Sequence, residues 1–131
     1  MRKTIYLTIT CCLIIVATSC KKSSDSENCI SYEIADIGAT GPNMGVVNQN
    51  INFNLASSAS NGCGRVDNIE EYTVIDTTTI RLKLRYEGCV CNQSFIFLST
   101  TYTFQRAQPG VYILKFLNSD ESFSLQTVII Q

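Results

Sequence analysis

The 131-residue chain contains no histidine and no tryptophan. Histidine is the commonest general base near neutral pH and the commonest metal ligand, so its absence removes the usual starting point for acid–base and zinc chemistry. No G-x-S-x-G, phosphate-loop or H-E-x-x-H run occurs. Charge is sparse, with 10 basic against 11 acidic residues and a net of −1. So weak a balance lacks the basic footprint that nucleic acid demands, and no nucleic-acid partner is expected. The acids Glu33, Asp36, Asp67, Glu70, Glu71, Asp76, Glu87, Asp120 and Glu121 fall mostly at turns or on the polar parity of extended runs. They read as solvated charge rather than as the paired carboxylates of a glycosidase. Asp36 and Asp120 offer loop oxygens to Ca²⁺, but the spacing of an EF-hand loop is missing. The chain is expected to be no enzyme, with no cofactor and no metal.

What the chain does have is seven cysteines and a greasy beginning. Met1-Arg2-Lys3 is a short positive start, Ile5 to Ala17 is largely apolar, and the small residues Thr18 and Ser19 follow. That order is the order of a secretory signal. A membrane-spanning helix needs about 20 apolar residues, and this run is shorter and ends in Lys21-Lys22. Ala17-Thr18-Ser19 also satisfies an ordinary secretory peptidase, which takes small residues at the first and third places before its cut.

The stretch Ala17-Thr18-Ser19-Cys20 resembles the lipobox of bacterial lipoproteins, with Ala17 where that family most often has Leu. The resemblance implies a leader over 1–19, a diacylglyceryl group on Cys20 and a membrane partner reached through that lipid. Cysteine parity supports it. Cys11 and Cys12 leave with the leader, and acylating Cys20 leaves the even set Cys29, Cys63, Cys89 and Cys91, whereas a free Cys20 makes an odd thiol. One acyl chain holds a protein marginally and two or three hold it stably. Residues 21–28, KKSSDSEN, contain no apolar side chain and read as a flexible tether. Lipoprotein sorting then implies a cell-envelope location at the outer membrane, on its periplasmic face or at the cell surface.

From 29 to 131 the pattern is all-β. Short Ile/Val/Thr/Tyr/Phe runs alternate with Gly/Asn/Ser/Asp clusters, which predicts strands over 30–37, 46–55, 66–74, 78–86, 94–104, 111–117 and 123–130. Ile80, Leu82, Leu84 and Tyr86 alternate with Arg81, Lys83 and Arg85, giving one buried and one wet face. Asp67 and Glu70-Glu71 mark 66–74 as an edge strand. Phe95 and Phe97 beside Ile96 and Leu98 predict a central strand covered on both sides near its start.

Seven antiparallel strands in about a hundred residues point to an immunoglobulin-like β-sandwich, a single domain over 29–131. "PGVYILKF" at 109–116 resembles the tyrosine corner of such sandwiches, with Tyr112 bonding back to the upstream backbone. A lipocalin-like barrel is the runner-up, and it usually takes eight strands and more chain.

In an oxidising compartment the four remaining cysteines are expected to form two disulfides. A Cys89–Cys91 ring is cramped. Cys29 and Cys63 are therefore expected to take one partner each from the C-x-C, in either order. Structural zinc prefers paired cysteines on both halves of a site, which this spacing lacks. Loops 38–45 and 56–64 are the expected contact surface, for an envelope protein or a glycan. Exposed aromatics on a sheet face favour a glycan, an apolar tip at Met44 to Val47 favours a protein, and clustered carboxylates in a cleft favour a hydrolase.

Overall fold

The computed structural model describes residues 29–131. The expected signal helix over 1–19, lipidated Cys20 and the tether over 21–28 lie outside the described residues. Nine strands are described rather than seven: β1 (Ile30–Ile34), β2 (Gly38–Thr40), β3 (Met44–Gly45), β4 (Ile51–Ala59), β5 (Gly64–Val74), β6 (Thr77–Glu87), β7 (Ile96–Phe104), β8 (Gly110–Leu117) and β9 (Phe123–Ile130). The two extra strands, β2 and β3, lie in the stretch read from sequence as a loop.

The strands form two sheets. The smaller runs β2-β4-β7. The larger is organised around β6, whose one edge carries β5 along its whole length. The other edge is shared end to end: β8 lies parallel to Thr77–Ile80, and β1 antiparallel to Lys83–Glu87. Beyond β8 come β9 and then β3, which pairs parallel with β9. Two parallel pairings therefore replace the expected all-antiparallel arrangement. Parallel register is set by backbone pairing between distant segments, so it leaves no local signal in the sequence.

The alternation read on β6 holds. Ile80, Leu82, Leu84 and Tyr86 are buried between the sheets, in one core with Phe53, Leu55 and Phe104 from the smaller sheet and with Leu114, Phe116 and Val128 from β8 and β9 of their own sheet. Burying a side chain of this kind stabilises by about 1.5–3 kcal/mol before chain entropy is counted. Phe53 joins the layers, its ring centroid lying 6.4 Å from that of Tyr102 and 6.2 Å from that of Phe116. Gly41 makes room for this ring: a Cβ there would sit 2.3 Å from Phe53 Cδ1.

Three expectations about individual strands are corrected. The strand expected over 30–37 ends at Ile34: Ile30 and Tyr32 face outward beside Glu87 and Arg85 of β6, and Ala35 and Ile37 are buried beyond it, where the chain crosses to the smaller sheet. The second predicted strand begins at Ile51 rather than Val46, because Val46–Gln49 closes a turn with Asn48 at φ +62°. It continues through Ala59, since the polar "ASSA" pairs by backbone with Ile96–Ser99. Finally, β7 is an edge strand and not a central one, and Phe95 and Phe97 are exposed at 74% and 93%.

β5 is an edge strand as read. A bulge at Asp67, between the Val66↔Leu84 and Asn68↔Lys83 pairs, together with two glutamates, guards it against pairing with another chain. The open seam between β5 and β7 is closed by polar side chains. Tyr102 donates to Glu71 at 2.7 Å, and Arg106 donates to the buried Thr78 hydroxyl at 2.7 Å while lying 4.4 Å over the Phe104 ring. Tyr112 donates to the Gln108 carbonyl at 3.0 Å, the corner bond that "PGVY" predicts.

Candidate functional site

The two ends of the sandwich differ in chemistry, and the chain fixes which end is which. Cys29 enters β1 at the end where β6 finishes. There two disulfides converge on the segment between β6 and β7: Cys29–Cys89, with Cα atoms 4.9 Å apart, and Cys63–Cys91, 5.5 Å apart. All four cysteines expected to bridge do so, and each member of the C-x-C takes one isolated partner. Gly88 turns the chain at φ +146°, and Gly62 donates to the Asn92 carbonyl at 2.7 Å, tying the β4–β5 turn to the crossover. Val90, Phe95 and Phe97 project from this end into solvent.

The opposite end carries a larger apolar patch. On the outer face of the larger sheet, Met44, Ile129 and Val111 are consecutive cross-strand neighbours and all are exposed. Val46 and Val47 extend this row around the tip, and Val74 and Ile75 cap the β5–β6 hairpin beside it. Ile75 is 87% exposed and sits at φ +55°, a region that β-branched residues almost never occupy. The loop tip at Met44 to Val47 is therefore apolar, the feature that favours a protein partner. The expected contact loops are corrected, however. Residues 38–40 and 56–59 are paired strand, and the two stretches lead to opposite ends of β4, which at about 3.3 Å per residue lie roughly 30 Å apart. They do not make one surface.

Between the ends, the same outer face holds a shallow groove of ≈ 500 Å³ lined by Glu70, Glu71, Tyr72, Arg81, Lys115 and Leu117 among others. Tyr72 stands 70% exposed at its rim. The two glutamates are adjacent on β5 and so leave it on opposite faces. Glu71 turns to the Tyr102 hydroxyl, and Glu70 lies 3.9 Å from Lys83. Burial, then the Glu71 bond and charge, push the Tyr102 phenol far above its ordinary pKa. This arrangement holds a phenol in its neutral form and does not assemble a carboxylate pair around a bond.

The loop carboxylates weighed for Ca²⁺ are occupied by protein donors. Asp36 accepts from the Ser119 amide and hydroxyl, and Asp120 accepts from Ser122, whose side-chain bond and then amide bond lower the Asp120 pKa. Among the described residues no group of three or more His, Cys, Asp or Glu side chains could hold a metal ion. No described helix is long and apolar enough to cross a membrane.

Charge is partitioned between the layers in a way that periodicity does not reveal. β2, β4 and β7 contain no Asp, Glu, Lys or Arg. Their outer face is neutral and, apart from Phe97 at the start of β7, polar, with Ser99 donating to Asn54 at 2.7 Å and Thr103 to Asn52 at 2.9 Å. The larger sheet bears the strand cations, Arg65, Arg81, Lys83, Arg85 and Lys115, two of them stacked on exposed rings: Lys83 at 4.6 Å over Tyr32 and Lys115 at 4.2 Å over Phe123.

Compared with known families, residues 53–126 match the model described as the ORF11 beta-sandwich domain. No curated protein and no solved structure matches the chain. The matched span runs from within β4 into β9, so it takes in the core of both sheets and the C-x-C crossover.

Proposed function

The chain belongs to the ORF11 beta-sandwich domain family, and from that premise we propose that it is a non-enzymatic, lipid-anchored module of the cell envelope. In this reading Cys20 carries the lipid at the outer membrane, and the sandwich presents its far end to a protein partner. The observation that carries the reading is the exposed row Met44–Ile129–Val111 with Ile75 at the adjoining tip. A solvated sheet face alternates polar side chains outward. A contiguous apolar patch on a small monomer marks an interaction surface. It lies at the end away from Cys29, about 35 Å off along the eleven residues of β6. An anchored domain presents that end outward. The anchor itself is supported by the lipobox resemblance and by the cysteine pairing, which uses every cysteine after position 20 and leaves Cys20 over.

Two measurements test the reading. Intact mass of the membrane-extracted protein is expected to show a species beginning at Cys20 with added acyl mass, and a Cys20 start without that mass overturns the anchor. A photo-crosslinking residue at Val111 is expected to give one discrete adduct in whole envelopes, while the same residue at Thr101 on the neutral face gives none. Equal labelling from both positions overturns the display end.

The groove favours a second reading. Tyr72 beside Arg81, Lys115 and Glu70 offers a ring face framed by charged hydrogen-bonding groups, the ingredients of a glycan subsite. Saturable glycan binding that Tyr72→Ala abolishes, with Val111 crosslinks unchanged, identifies that reading.

A further inference from the structure

The disulfide end presents an oddity that the far-end patch does not explain. Val90, Phe95 and Phe97 are among the most exposed apolar side chains of the described residues, and Phe97 stands 93% exposed at the start of an edge strand. Burial in the core accounts for none of them. The chain segments that carry them are also free of charge. Residues 37–64 and 88–105 include no Asp, Glu, Lys or Arg, so the β4–β5 turn, the crossover and the start of β7 are neutral throughout. At this end the charges lie on the larger sheet, where Glu87 pairs with both Arg65 and Arg85. Moving a charged side chain out of water is costly, whereas moving hydroxyls, amides and aromatic rings into a headgroup layer is tolerated.

The point at which the chain enters the domain adds a geometric constraint. Cys29 is bonded to Cys89, and Val90 follows directly. Ile96 pairs with Ala59 and Phe97 with Ser58 at that same end. Cys29 lies nine residue steps after Cys20, and fully extended chain spans at most about 3.6 Å per residue, which caps the distance from a lipid on Cys20 at about 32 Å. The far end lies a strand length beyond.

We propose that Val90, Phe95 and Phe97 form a membrane seat: this end of the sandwich rests in the headgroup region of the bilayer that holds Cys20, with the three side chains inserted at the boundary with the acyl chains. The inference rests on the lipid-anchor reading and extends it from a tethered domain to an oriented one. Interfacial contacts of this size bind weakly alone and act once a covalent lipid keeps the surface near. The bilayer is the occupant because these apolar side chains stand on uncharged segments and next to the point where the tether enters the domain. A consequence is that the Met44–Val111 row points away from the membrane.

The natural chain has no tryptophan, so a single introduced indole reports its own depth. Full-length lipidated Phe97→Trp and Val111→Trp proteins are extracted from membranes and checked for acyl mass. They are then reconstituted into vesicles of phosphatidylethanolamine, phosphatidylglycerol and brominated phosphatidylcholine. The seat predicts that Phe97→Trp emission shifts to the blue and falls at least about twofold on brominated vesicles, while Val111→Trp emission is unchanged. Phe95→Trp is expected to behave as Phe97→Trp does. Quenching of neither position, or equal quenching of both, overturns the seat while leaving the anchor intact. A protein without acyl mass overturns the anchor and the seat with it, and the mass spectrum separates that outcome from the first. Both Phe97 and Val111 are exposed, so neither substitution disturbs the core.

Discussion

The hydroxyl of Tyr102 on β7 donates a hydrogen bond of 2.7 Å to Oε2 of Glu71 on β5, joining the edges of the two sheets where no backbone ladder connects them. Burial and the neighbouring carboxylate both disfavour the phenolate, so the Tyr102 pKa is raised in the folded protein. A raised folded-state value means that the native state holds its proton more tightly than the unfolded chain. The stability this contributes is fully present below the ordinary tyrosine value of about 10 and is lost as pH rises beyond it. Tyr102→Phe is expected to cost about 0.5–1.5 kcal/mol at neutral pH and to flatten the alkaline decline. Urea unfolding at neutral pH and above pH about 10 measures both effects. A variant that declines in alkali as steeply as the natural protein shows that another group governs the slope.

Gly88 is the second position where the fold depends on one residue. Its φ of +146° is accessible to glycine and strained for any other residue, and an added Cβ would lie 2.9 Å from Cys63 Sγ and 3.5 Å from Cys91 Sγ. Those sulfurs are fixed by their own bond and cannot swing aside. Gly88→Ala is expected to cost about 1–3 kcal/mol and to raise the fraction of protein with free Cys63 and Cys91. Gly38→Ala, whose nearest contact is 3.7 Å from the added carbon, is the matched control and is expected to be nearly neutral. Unfolding midpoints and thiol labelling report both variants.

These two positions also show what could be read from the chain beforehand. The C-x-C and the cysteine count sufficed to predict two bridges, because pairing follows from parity and ring strain. Which member of the C-x-C each isolated cysteine takes, Cys29 with Cys89 and Cys63 with Cys91 or the reverse, was invisible, since it depends on where β1 and the β4–β5 turn meet. Alternation on β6 was legible because one of its faces is buried. Phe97 misled for the same reason: an aromatic next to buried neighbours reads as core, and only the sheet order reveals that β7 has nothing over its outer face. β2 and β3 have three and two residues, too short for any period to register. The far-end patch was partly anticipated at Met44 to Val47. Its continuation through Ile129 and Val111 depends on the β3–β9 and β8–β9 registers, which sequence spacing does not encode.

Each disulfide is expected to contribute about 2–4 kcal/mol, and the two differ in what they hold. Cys29–Cys89 ties the start of β1 to the crossover, so Cys29→Ser/Cys89→Ser is expected to free β1 and expose the Lys83–Glu87 edge of β6 to amide exchange. Cys63–Cys91 ties the β4–β5 turn to the same crossover. Cys63→Ser/Cys91→Ser is expected to leave the Lys83–Glu87 edge protected and to speed exchange over 60–64 and 88–95. Hydrogen exchange resolved by segment distinguishes them. Identical exchange patterns in the two variants contradict the assignment of separate roles.

Ile75 combines strain with exposure at the tip of the β5–β6 hairpin. A β-branched side chain at φ +55° crowds its own backbone, whereas asparagine tolerates that region through its short polar side chain. Because Ile75 is 87% exposed, replacing it removes almost no buried contact. Ile75→Asn is therefore expected to stabilise the domain by about 0.5–1 kcal/mol, measured as a rise in the urea midpoint with an unchanged slope. The same substitution removes an apolar side chain from the proposed display end and is expected to weaken Val111 crosslinking. A strained residue kept at a site where relief improves stability is held there by something other than folding. If Ile75→Asn raises stability and leaves the crosslink at full strength, the hairpin tip has no part in the interaction and the contact narrows to the Met44–Ile129–Val111 row.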